Sequence, residues 1–123
     1  MSILTETNHA GGFLVWEVLR DYTRETVTIA SGAGKLEPGT VLGKITTGGK
    51  FTKLTPAATN GSQNAAGILW AGVDASAADS PGVVVLRGPA LVNRHDIIWP
   101  EGASEAQITA ATTALGALGV ILR

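Results

Sequence analysis

Few residues in this sequence are of types and spacings that do chemistry. Gly32-Ala33-Gly34-Lys35 has the look of a loop that cradles phosphate. A Walker loop also needs a glycine five residues before its Gly-Lys pair and Ser or Thr after the lysine. Ile29 and Leu36 stand at those positions. The dinucleotide pattern fails as well, because Glu37 occupies the place of its third glycine. The loop reads as an ordinary glycine-rich turn. The histidines, His9 and His95, are far apart, and only Asp96 stands beside His95. Adjacent residues on a strand point to opposite faces, so His95 and Asp96 are not expected to converge on a metal. With no cysteine, disulfides, thiolate zinc and a thiol nucleophile are excluded.

Serine hydrolysis is no better supported. No Gly-x-Ser-x-Gly pentapeptide occurs. His9-Ala10-Gly11-Gly12 resembles an oxyanion loop, but its polar surroundings read as a hinge. Asp74 and Asp79 flank Ala75-Ser76-Ala77-Ala78, small residues that read as a solvent loop with nothing to raise a carboxyl pKa. Asn60-Gly61-Ser62 matches a glycosylation sequon, yet no secretion signal would bring it to that machinery. The sequence therefore predicts no catalytic, cofactor-binding or metal-binding residue. The enzyme alternative is a small hydrolytic or ligand-binding barrel using His95 and Asp96.

Composition points to association instead. The 123 residues carry nine basic and ten acidic side chains, a net charge of −1. That balance gives no electrostatic footprint for nucleic acid. Charged residues are 15% of the chain, against about 25% in typical soluble domains. Mean hydropathy is +0.24. So little charge predicts surface that a partner covers. No stretch reaches the ~20 apolar residues of a membrane span, so no membrane partner is expected. Aromatics are 5%, which leaves Val, Ile, Leu and Ala to build the core. Trp70 and Trp99 read as core; Trp16, just after the glycine pair, reads as an interface anchor.

The elements that must position these residues are short. Residues 2–12 are polar and end in Gly11-Gly12, a flexible arm with a hinge. Residues 13–19 are apolar and read as a strand. Glu25-Thr26-Val27-Thr28-Ile29-Ala30 alternates as a half-buried strand does. Residues 40–46 and 51–54 form a hairpin across Gly48-Gly49. Residues 55–64 are a loop. Residues 65–70, 82–86, 91–93, 97–99 and 120–123 are further short strands. Ser104 and Gln107 form a capping box, and Ile108, Ala111, Leu115 and Leu118 recur along one helical face. Gly116 and Gly119 are candidate stops. The expected fold is mainly β or α+β: a small β-rich barrel or sandwich-like domain over residues 17–123, one helix near the C-terminus, and an extended arm over residues 1–16.

Several segments together carry a resemblance. Arg24-Glu25-Thr26-Val27-Thr28-Ile29-Ala30-Ser31-Gly32 precedes Leu36-Glu37-Pro38-Gly39-Thr40-Val41-Leu42-Gly43. Gly67-Ile68-Leu69-Trp70 and Val73-Asp74-Ala75 follow, then Ile97-Ile98-Trp99-Pro100-Glu101-Gly102-Ala103-Ser104-Glu105, and finally Gly119-Val120-Ile121-Leu122-Arg123. In this order they resemble the lambda-type phage head decoration protein family over nearly the whole chain. The resemblance implies a homotrimer on the outer surface of an expanded icosahedral capsid, with the major capsid protein as partner. It implies a non-enzymatic clamp without cofactor, assembled in the host cytoplasm, whose N-terminal arm becomes ordered on the capsid. Trp99-Pro100 maps to the family's Trp-Pro element, expected to be a structural turn.

The bottom-up reading agrees with that implication. An arm lying beside a partner's strand edge gains main-chain hydrogen bonds. Ordering it costs about 1–2 kcal/mol per residue, so apolar anchors are required. Ile3, Leu4, Phe13 and Trp16 are the expected capsid-binding residues. The rival structural reading is another trimeric virion part, a tail or spike module.

Overall fold

The computed structural model describes residues 10–17 and 19–123. In chain order it contains β1 (Leu14–Glu17), α1 (Arg20–Thr23), β2 (Arg24–Ile29), β3 (Gly34–Leu36), β4 (Val41–Lys44) and β5 (Phe51–Lys53). Next come β6 (Ala65–Leu69), β7 (Val73–Ala75), β8 (Ser80–Val85), β9 (Ala90–Val92), a 3-10 turn (Arg94–Asp96), α2 (Glu105–Ala117) and β10 (Val120–Leu122). Over the described residues the fold is mainly β, with one substantial helix near the C-terminus, as the sequence predicts.

Five strands close into a barrel in the order β2-β5-β4-β6-β8. Alternation in β2 turns Ile29 fully inward while Thr26 and Thr28 on the other face stay exposed. The long seam runs antiparallel from Arg24 opposite Val85 to Ile29 opposite Ser80. The short seam is one parallel pair, Ile29 with Phe51. Ile29, Leu42, Phe51, Leu69 and Val84 form one core cluster.

A second layer holds the first and last strands. β9 lies between β1, antiparallel to it, and β10, parallel to it. Phe13, Ile68, Val85, Val92, Leu115 and Val120 belong to the core cluster between this sheet, α2 and the barrel. The capping box is formed: the Gln107 N–H donates to Ser104 Oγ (3.1 Å), and the Ser104 N–H donates to Gln107 Oε1 (2.9 Å). Ala111 and Leu115 are the buried residues of α2. Gly116 lies inside the helix, and the chain leaves it at Gly119, whose φ of +90° suits glycine.

Four local expectations change. The apolar run at residues 13–19 is not one strand: β1 stops at Glu17, and α1 begins at Arg20. β3 and β7 pair with each other where loops were expected, so Asp74 sits on a strand. His95 and Asp96 lie on the 3-10 turn, because Asn93 Oδ1 accepts the His95 N–H (3.0 Å) and caps it. Of residues 97–99, only Ile98 makes a bridge, a parallel one to Thr40.

Candidate functional site

The chemical candidates come apart in space. His95 and Asp96 are both exposed on their turn. Asp74 and Asp79 are exposed and serve local structure. Asp74 accepts from the backbone and hydroxyl of Ser76, and the hydroxyl bond leads in holding its carboxyl below the usual aspartate range. Asp79 is lowered first by Lys50, whose Nζ donates at 2.5 Å, and then by the Ser31 N–H at 2.7 Å. Gly32 and Gly34 both take positive φ as the chain turns into β3. Among the described residues no three His, Cys, Asp or Glu side chains gather as a metal site. Nor, among the described residues, is any helix long and apolar enough to cross a membrane. His9 lies outside the described residues.

An open groove of about 570 Å³ runs past Lys35, Glu37, Lys53, Trp99 and Glu101. Trp99 is half-buried at its wall and packs on the core, which fits its reading as a structural residue.

The exposed apolar surface is concentrated elsewhere. Val15 is 63% exposed, Trp16 50%, Leu19 58% and Tyr22 54%. All four fall within eight consecutive residues across β1 and α1. Tyr22 is braced by Arg87, whose guanidinium lies 5.4 Å from the ring centroid and donates to the Tyr22 carbonyl (2.5 Å). β1 is the end strand of its sheet, so its outer edge offers backbone groups beside these side chains.

Of the anticipated anchors, Trp16 lies on this surface. Phe13 does not: at 2% exposure it belongs to the core, edge-on to Trp70 with centroids 6.2 Å apart. Ile3 and Leu4 lie outside the described residues.

Beneath the apolar surface is a polar cluster that the sequence did not single out. Arg24 stands over the Trp70 ring, 3.4 Å from its centroid. The same guanidinium is ion-paired to Glu17 through both carboxylate oxygens. Thr23 Oγ1 also donates to Glu17 (2.5 Å). Gly11 approaches the Trp70 ring so closely that a Cβ would stand 2.0 Å from a ring carbon. The signal available was an acidic residue, Glu17, inside the apolar run and a basic one, Arg24, shortly after it.

This barrel, second sheet and late helix fit a known family. The family model described as Bacteriophage lambda head decoration protein D matches residues 3–120. The chain belongs to that family. Its role is accordingly capsid decoration in a phage virion, a structural role. No curated protein matches the chain. Nearly all of the decoration-protein match falls on described residues, including β1, α1 and the exposed apolar surface.

Proposed function

We propose that the chain binds the outer surface of the expanded phage head as a homotrimer and stabilises it, without catalysis or cofactor. The observation that carries this reading is the run Val15, Trp16, Leu19 and Tyr22, exposed across β1, an end strand of its sheet, and α1. A monomer gains nothing from four large apolar side chains in water, whereas a docked surface removes them from it. The partner is the major capsid protein. Trp16, with Ile3 and Leu4 on the arm, supplies apolar anchors, and Phe13 roots the arm in the core. The outer edge of β1 accepts an added strand. Three arms on one trimer raise the effective concentration of the second and third contacts once the first has formed. Assembly takes place in the host cytoplasm.

The test compares expanded heads with and without the protein. Decorated heads should melt at higher temperature, and light scattering should give a trimer's mass. Equal melting of the two kinds of head refutes the stabilising role.

A further inference from the structure

We infer that Arg24 is a positioning residue for docking: it latches β1 to the barrel and so fixes the direction in which the arm leaves the fold. This rests on the decoration reading above. The latch joins three separate parts of the chain. Glu17 ends β1, Arg24 begins β2 of the barrel, and Trp70 directly follows β6. The Arg24 guanidinium meets both carboxylate oxygens of Glu17 and lies over the Trp70 ring. Its side chain is 19% exposed and that of Glu17 11%. A bidentate, stacked, largely desolvated arginine holds geometry that a lysine does not.

The same tryptophan holds the base of the arm. The Gly11 N–H donates to the Trp70 carbonyl (2.9 Å), and the Leu14 N–H donates back to the Gly11 carbonyl (3.0 Å). Gly11 has a φ of +67° and leaves no room for a side chain against the ring. The Trp70 N–H is itself bonded to Val83 in the barrel (2.8 Å). The turn that precedes β1 therefore rests on a side chain clamped by Arg24. A fixed base reduces the conformational freedom lost on docking, which strengthens binding without adding a contact to the partner. Arg24 acts through Trp70 and Glu17, and need not touch the capsid.

Arg24→Lys keeps the charge and removes the fork. It should weaken binding to expanded heads about tenfold, the scale of one charge-assisted bond lost. It should also speed amide exchange at Gly11 by about as much, while β8 amides exchange as before. Glu17→Gln, which keeps the shape of the side chain, should move both readouts the same way. Unchanged head binding by both variants overturns the inference. Equal acceleration at Gly11 and throughout β8 overturns it too, since that marks general loosening. If the unmodified chain fails to bind heads, the decoration reading falls instead, and exchange at Gly11 still decides whether the latch exists.

Discussion

Gly88 and Gly119 meet backbone to backbone. A Cβ on Gly88 would stand 1.8 Å from the Gly119 carbonyl oxygen. The contact lies where the chain leaves α2 for β10 and brings that strand alongside β9. Hydrogen bonds from Gly88 N–H to the Leu118 carbonyl (2.8 Å) and from Ala90 N–H to the Gly119 carbonyl (3.1 Å) fasten it. Gly88→Ala should therefore destabilise the fold by about 3 kcal/mol, at the upper end of overpacking. Urea unfolding checks this, and a variant within 0.5 kcal/mol of the parent, the scale of neutral surface changes, refutes it.

Trp16→Ala should leave urea unfolding nearly unchanged, because half of the side chain already faces water. Binding to expanded heads should weaken by about 2 kcal/mol or more, as for a buried aromatic anchor. Sedimentation of heads with labelled protein measures it. Parent-like binding would remove Trp16 from the docking surface.

Removing residues 2–9 should preserve the cooperative unfolding of the domain, since the Gly11 and Leu14 bonds that secure the turn before β1 stay in place. The same truncation should weaken head binding. If binding is retained in full, the arm has no part in attachment.

Acid should erode stability through Asp74 and Asp79. Both have folded pKa values below the ordinary 3.8, so the folded state binds fewer protons than the unfolded one. Their contribution is complete above that ordinary value and is lost as pH falls through the lowered one. Asp79→Asn should flatten the decline in urea stability below about pH 4. It should matter less in high salt, because the Lys50 pair is exposed. An unaltered acid slope would refute the assignment.

Local signals made much of this fold readable. The Thr-apolar alternation gave β2, Gly48-Gly49 marked the turn between β4 and β5, and Ser104 with Gln107 marked the start of α2. Each depends on residues close in sequence. β3 and β7 were missed because their pairing joins Lys35 to Asp74 across a long separation, and neither segment is long enough to show a period. The 3-10 turn was missed because its cap is a single Asn93 hydrogen bond. At the site, the composition predicted covered apolar surface and singled out Trp16. Phe13 was counted among the arm's anchors because the resemblance carried the arm as far as residue 16, whereas Gly11 already lies against Trp70 and Phe13 is buried in the core. The Glu17, Arg24 and Trp70 cluster needed three elements in place before it existed.

β1 and β10 flank the same strand, β9, one along each of its edges. The ladder of β1 to β9 lies crosswise to the strand direction. Tension transmitted lengthwise through β1 would load its rungs together, in shear, instead of peeling them one after another. A shell straining outward against such a tether would have to break several bonds at once before the first strand came away.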